Sequence, residues 1–225
     1  MANKMKLKEK VYTTIKTKIC NFELKPKEVF FETGISKELG VSRTPIREAL
    51  NRLEQEGLVS RLPNRGYSVV DITVSEIEEL YELRESLEVM ALRAAAKKAK
   101  KEDWVRLEKE MLKLVVPQRE LTKKEYERFS DIAQAFDQEI ARLSGKTTLQ
   151  KMIDMVTDRV NRFRWMNIFF KDRAEKSRDE HLEIIRHLKE GKLENAVAAT
   201  RKHIRRSRDN ILTLLHRKKD ILYID

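Results

Sequence analysis

The run Ser42-Arg43-Thr44-Pro45-Ile46-Arg47-Glu48-Ala49-Leu50, continued by Asn51-Arg52-Leu53-Glu54-Gln55-Glu56-Gly57-Leu58-Val59, leaves this part of the chain few ways to fold. Ser42 or Thr44 can cap a helix by accepting from its free backbone N–H groups. Pro45 falls in the first turn, where a missing N–H costs little. Ile46, Leu50, Leu53 and Leu58 point one way, towards a core, and Gly57 stops the helix. Arg43, Thr44 and Arg47 share the other side of the leading turn. Beyond Gly57, Leu58 to Leu62 and Gly66 to Val70 alternate around Pro63-Asn64-Arg65-Gly66, a strand–turn–strand pattern.

The sequence before this run completes a small domain. Leu7, Val11, Ile15 and Ile19 recur every four residues, which predicts an amphipathic helix over residues 6–21. Glu28 to Phe31 can form a short strand. Ile35 to Gly40 reads as a short helix that Gly40 ends. Helices followed by a basic hairpin are the layout of a winged helix-turn-helix, and DNA is the first partner to consider. A helix entering the major groove presents its N-terminal residues to base edges, and arginine is shaped to bridge guanine O6 and N7. Arg65, at the hairpin tip, can reach a minor groove or a phosphate. The bland alternative is a solvated helix start with ordinary surface arginines.

Residues 6–72 resemble the N-terminal domain of GntR-type bacterial transcription regulators. The run from Gly40 to Val59 and the turn Pro63-Asn64-Arg65-Gly66-Tyr67-Ser68-Val69 carry the resemblance. It implies DNA contacts from Arg43, Thr44 and Arg47 in the helix, and from Arg65 and Gly66 in the wing. Asn21 and Lys27 stand where the family often has glycine, and Thr33 where some members carry arginine.

Charge agrees with a polyanionic partner but does not place it. The 225 residues have a formal net charge of +11. Up to Asp71 there are 14 basic against 9 acidic side chains, and beyond it 34 against 28, so the excess is spread along the chain. Cys20 is the single cysteine, which excludes an intramolecular disulfide or a Cys-based zinc cluster and suits a reducing, cytoplasmic setting. No apolar run reaches about 18 residues, so no membrane span is expected. The lysine-rich start lacks an apolar signal core.

After Asp71-Ile72-Thr73 the character changes. Residues 74–219 contain only Gly145, Gly191 and Pro117 as helix punctuation, and strand-like alternation disappears. Six helical segments are expected, near 75–99, 101–115, 121–144, 147–168, 172–190 and 192–218. Ile77, Leu80, Leu83, Leu87 and Ala91 exemplify their apolar stripes. This half resembles the ligand-sensing, all-α FCD-type domain of the FadR branch of the same family. The matching residues are Tyr81-Glu82-Leu83-Arg84, Leu87-Glu88, Phe136, Ser144-Gly145, Glu180-His181 and His203-Ile204.

In many relatives, the resemblance implies, this bundle holds a metal through an Asp and a His four apart on one helix plus two further histidines. His181 and His203 match the last two. Ala133 occupies the aspartate position and Asp137 the histidine position. Asp137, His181 and His203 could still hold one divalent ion, such as zinc, nickel or manganese. The alternative is a hydrogen-bonded polar cluster without metal. Arg84 is a second inward charge, sharing a stripe with Leu80, Leu87 and Ala91. A buried arginine must be paired. Its partner is either Glu88, one turn on, or the carboxylate or phosphate of a small effector, with Arg159, Arg162 and Arg164 as sources of a second anion contact. An apolar remainder of that effector would fit among Phe129, Phe136 and Met155.

The expected protein is mainly α, with a winged helix-turn-helix over residues 1–72 and an all-α effector-binding and dimerisation domain over 73–225. The expected function is that of a ligand-responsive regulator, a repressor on family grounds. It would grip a palindromic double-stranded operator as a homodimer and answer to a small organic anion. A metal-dependent all-α hydrolase and an architectural DNA binder without effector are the competing readings. The first lacks an adjacent His-Asp pair, a His-Glu-x-x-His helix and a Gly-rich phosphate loop.

Overall fold

A computed structural model of the chain describes residues 2–20, 23–63, 66–116, 122–164 and 172–217. They form two compact units. The first ends at Thr73 and also takes in residues 161–164, and the second begins at Val74.

The first unit contains helices α1 (Ala2–Cys20), α2 (Glu32–Leu39) and α3 (Arg43–Gln55) and strands β1 (Val29–Phe31), β2 (Val59–Arg61) and β3 (Gly66–Val69). The sheet is antiparallel in the order β1-β3-β2, with Phe30 opposite Tyr67 and Ser60 opposite Ser68. Its core gathers Val11, Ile15 and Ile19 of α1 with Ile46, Leu50 and Leu53 of α3, Leu58 and Tyr67. The four-residue spacing in α1 and α3 puts these side chains on facing stripes. Tyr12 locks the two helices further: its hydroxyl donates to Glu56 at 2.8 Å and the Arg52 guanidinium lies 3.6 Å from its ring centroid.

Helix α3 starts as the sequence implies but without the expected side-chain cap. Ser42 is the N-cap residue with extended backbone, yet its hydroxyl makes no capping bond, and Thr44 already lies inside the helix. The far end is closed by backbone alone. Gly57 adopts φ 71°, its N–H reaches Glu54 O at 3.0 Å, and Leu58 N–H reaches Leu53 O at 2.9 Å. That crossed pair needs a left-handed residue, which glycine supplies without a Cβ clash. Helix α2 begins at Glu32, three residues before the expected start, and ends at Gly40 with φ 64°. The early start matters below, because it places Glu32 in the helix's first turn.

The second unit is all helical: α4 (Val74–Lys98), α5 (Lys101–Leu112), α6 (Lys123–Leu143), α7 (Thr147–Arg164) as far as Val160, α8 (Arg173–Lys189) and α9 (Leu193–Arg217). Helix α4 packs on α6 and α9, α8 on α9, and α5 on α8. Thr122 begins α6 with a capping box closed by Glu125, a Thr–Glu pairing that satisfies two free N–H groups reciprocally. The inward stripe of α4 is not quite the expected one. Leu83 is 42% exposed, while Ile77, Leu80, Tyr81, Arg84, Leu87 and Ala91 are buried. Helical advance of about 100° per residue places Arg84, not Leu83, over the core. Among the described residues no helix is long and apolar enough to cross a membrane.

One backbone position departs from its residue's preference. Lys27 has φ 64°, donates its N–H to Val69 O at 2.9 Å, and turns the chain so that β1 runs beside β3. Its exposed ion pair with Asp71, 2.9 Å, returns little in water. A left-handed lysine costs about 1 kcal/mol or more that glycine does not pay. Lys27→Gly is therefore expected to stabilise the first unit by about 0.5–1 kcal/mol, read as a higher melting temperature. A lower one would show that the lysine side chain outweighs the backbone term. Asn21, the second place where the family often has glycine, lies outside the described residues.

Candidate functional site

The leading turn of α3 presents Arg43, Thr44 and Arg47 to solvent, while Ile46, Leu50 and Leu53 are fully buried on the opposite side. This separation is the direct result of the sequence spacing. Arg47 Nε donates to Glu32 Oε2 at 2.8 Å, linking α3 to the start of α2. Arg61 of β2 donates through Nη2 to Asn51 Oδ1 at 2.6 Å and to the Tyr67 hydroxyl at 2.9 Å. Glu32, Arg47, Asn51, Arg61 and Tyr67 line a pocket of about 490 Å³ beside the helix. Glu32, Asn51 and Arg61 had not been singled out from sequence, because nothing in their local pattern separates them from ordinary surface residues. Gly66 is buried opposite Phe31, and a Cβ there would come within 3.1 Å of the Phe31 ring. The absent side chain thus lets the Phe31 ring lie close against the strand, and a larger residue would make that ring give by a few tenths of an ångström. Arg65 lies outside the described residues.

The bundle buries a second polar group. Arg84 of α4 donates through Nε to Glu88 Oε1 at 2.5 Å and through Nη2 to Asp137 Oδ2 of α6 at 3.0 Å. Glu180 of α8 accepts from Arg173 Nη1 at 2.9 Å, from Arg206 Nη1 at 3.0 Å and from His203 Nδ1 at 2.7 Å. Between these two ion-pair groups stands His181, 1% exposed, its ring 4.4 Å from that of His203 and 4.7 Å from that of Phe136. Among the described residues, neither of its ring nitrogens has a hydrogen-bond partner. Asp137 Oδ1 is 4.0 Å from His181 Nε2, too far to bond.

Titration follows from these surroundings. Burial alone would raise the Glu180 carboxyl, but His203 and Arg173 outweigh it and hold the group at about 2. The ionised carboxylate can only accept, so His203 Nδ1 carries the proton and Nε2 is its acceptor nitrogen. Burial, with help from the charges of Arg84 and Arg173, pushes both His181 and His203 below the ordinary histidine value of 6.5, against the pull of Asp137 and Glu180 respectively. Burial opposes the charge on Arg84 as well, yet Glu88 and Asp137 overcome it and keep the guanidinium firmly protonated. The cluster therefore holds charged carboxylates and guanidinium groups around two neutral imidazoles.

The geometry brings Asp137, His181 and His203 together in one buried polar cluster. Among the described residues no group of three or more His, Cys, Asp or Glu side chains is arranged to hold a metal ion. With Ala133 in place of one carboxylate, the single remaining aspartate is needed by the buried Arg84, and a divalent cation there would adjoin that guanidinium. Arg84, in turn, is paired with protein carboxylates on two sides. Arg159 Nη2 pairs with Glu76 Oε1 at 2.8 Å. The side chains of Arg162 and Arg164 lie outside the described ones. Met155 is 66% exposed, whereas Phe129 and Phe136 are buried. The link of Asp137 to Arg84, and those of Glu180 to His203 and Arg206, are set by packing, because these partners lie on different helices.

A DNA-reading helix with a wing, joined to a helical bundle with a buried polar centre, defines a bacterial regulator of transcription. The chain matches the profile of the bacterial regulatory proteins of the gntR family over residues 7–69 and that of the FCD domain over residues 79–206. It belongs to the gntR-family regulators that carry an FCD domain, and is a regulator rather than an enzyme. It is 28% identical over 215 residues to the uncharacterized HTH-type transcriptional regulator YdhC of Bacillus subtilis, covering 93% of this chain and 92% of that one. It is 29% identical over 195 residues to the Nta operon transcriptional regulator of Aminobacter aminovorans, covering 87% and 90%. The solved structure of E. coli McbR/YncC superposes with a TM-score of 0.72 at 20% identity, over 94% of this chain and 98% of that one, a likeness of fold.

The two neutral imidazoles make the bundle sensitive to acid. Their folded pKa values lie below the ordinary 6.5, so the unfolded chain takes up protons that the folded chain refuses, and stability is lost as pH falls below about 6.5. The Glu180 contribution persists further and is lost only as pH falls from 4.5 towards about 2. Thermal melts at pH 7, 6 and 5 are expected to show a falling melting temperature, and His181→Gln a shallower fall. A profile flat over this range in the unmodified protein would contradict the buried, neutral assignment.

Proposed function

We propose that this chain is a ligand-responsive repressor that binds a palindromic DNA operator as a homodimer. The observation that carries the DNA part is the exposed leading turn of α3, with Arg43, Thr44 and Arg47 on one side and the core of the winged domain on the other. Two-fold protein symmetry matched to operator symmetry is the usual geometry for such readers. Exposed apolar side chains on α4 (Leu83, Met90) and α7 (Met152, Met155) support self-association. Relief of repression by ligand follows from the family resemblance.

For the effector, the geometry favours His181 over Arg84 as anchor. A buried imidazole with two unpartnered nitrogens carries a desolvation cost of about 1–3 kcal/mol, which a small molecule offering one donor and one acceptor would remove. Phe136 supplies an apolar wall beside it. The preferred effector is thus a small polar molecule, carboxylic or neutral, that hydrogen-bonds a neutral histidine.

DNA binding is checked by titrating duplexes selected from a random pool at several salt concentrations. Log K against log salt is expected to slope by roughly −0.9 per phosphate neutralised. Arg43→Ala and Arg47→Ala are expected to cost about 1–3 kcal/mol on the selected site and much less on random duplex. Equal losses on both would make them phosphate contacts.

The effector site is checked by a thermal-shift screen of small organic acids, sugar acids and neutral polar metabolites. A ligand at about 100 times its Kd should stabilise the fold by about 2.7 kcal/mol, and His181→Ala should abolish the shift. Zinc, nickel and manganese in the same screen are expected to give none. Arg84→Ala should instead destabilise the bundle itself by about 3–5 kcal/mol, since it strands two buried carboxylates. A folded, stable Arg84→Ala protein that has lost only the ligand shift would restore Arg84 as the anchor.

A further inference from the structure

In the leading turn of α3, Arg47 differs from its neighbours in being held by a carboxylate. Arg47 Nε donates to Glu32 Oε2 at 2.8 Å, with the glutamate side chain 14% exposed and the arginine 55%. Among the described residues, the terminal nitrogens Nη1 and Nη2 of Arg47 have no protein partner. We propose that Glu32 is a specificity-determining residue of the DNA interface, positioning Arg47 and cancelling its charge wherever the arginine is not reading a base. The proposal rests on the DNA-binding reading above.

The geometry supplies the positioning. Glu32 lies in the first turn of α2, where the helix N-terminus favours a negative charge. The carboxylate is thus fixed to one element and Arg47 to another, and the Nε bond between them restricts the guanidinium. The two nitrogens left over are the pair an end-on contact with guanine O6 and N7 requires. Arg47 can therefore meet a base without giving up Glu32.

The charge supplies the discrimination. Affinity for random DNA comes from cations that neutralise phosphates and release counterions. Arg47 and Glu32 together carry no net charge, so this arginine gains little from a phosphate. Arg61, in the same pocket, gives the contrast. It hydrogen-bonds the neutral groups of Asn51 and Tyr67, and carboxylates (Glu54, Glu32) act on it only at longer range, without a direct side-chain bond. The carboxylate thus penalises a misplaced register more than the cognate one.

The test measures affinity and salt slope of the full chain for a duplex selected from a random pool and for a random duplex of equal length. Glu32→Gln keeps an acceptor for Nε but removes the charge. It is expected to bind random duplex about 3- to 10-fold more tightly at low salt, with a slope steeper by roughly 0.9, the signature of one more phosphate neutralised. Cognate affinity should change less, so the ratio of the two falls. Glu32→Ala also loses the acceptor, and should lower the ratio further through weaker cognate binding. In an Arg47→Ala background, Glu32→Gln should have no such effect, because the two residues act through one another. An unchanged ratio and slope in both variants overturns the proposal, as does the same shift in the Arg47→Ala background. If the unmodified chain retains no duplex at all, the DNA-binding reading falls, and this proposal with it.

Discussion

Burying Arg84 and Arg173 is the constraint on which the rest of the bundle depends. A guanidinium cannot be neutralised at any ordinary pH, so a fold that takes one out of water must bring anions to it. Arg84 is 3% exposed and Arg173 7%, and the carboxylates that answer them come from three helices: Glu88 on α4, Asp137 on α6 and Glu180 on α8. The Arg84–Asp137 pair ties α4 to α6, and the bonds from His203 and Arg206 to Glu180 tie α9 to α8, while Arg84–Glu88 and Arg173–Glu180 stay within one helix each. They also commit the carboxylates. Asp137 serves Arg84 and Glu180 serves Arg173, Arg206 and His203, and among the described residues His181 is enclosed without a hydrogen-bond partner.

The winged unit solves the opposite problem. Its charges must stay available to a partner, so its core is apolar throughout and its cations are kept outside. Ile46, Leu50 and Leu53 bury one side of α3 completely, and the arginines occupy the side left over. Glu32 tempers that availability at Arg47. The two units therefore use the same pair of residue types, arginine and glutamate, to different ends. In the bundle they fix structure where water is excluded, and in the winged unit they adjust affinity where salt and DNA compete.

Much of this was legible along the chain. The helix from Arg43 to Gln55, its glycine stop and the two strands after it follow from spacing and from backbone preferences that act within a few residues. The six bundle helices likewise announce themselves through apolar periodicity and the scarcity of glycine and proline. The ends were less legible. Helix α2 starts at Glu32, directly after β1, with the strand residue Phe31 as its N-cap, and Ser42 begins α3 without a side-chain cap.

The sequence by itself determined the elements, the side of each that is apolar, the inward placement of Arg84, Asp137, His181 and His203, and the outward placement of Arg43 and Arg47. Those properties depend on neighbours one or two turns away. Only the tertiary structure decided which charges meet. Glu88 could be named as the partner of Arg84 because it lies one helical turn on, but Asp137 lies 53 residues away and Glu180 lies 23 from His203. An ion pair is set by the distance between two atoms, and helices distant in sequence fix that distance only when they pack.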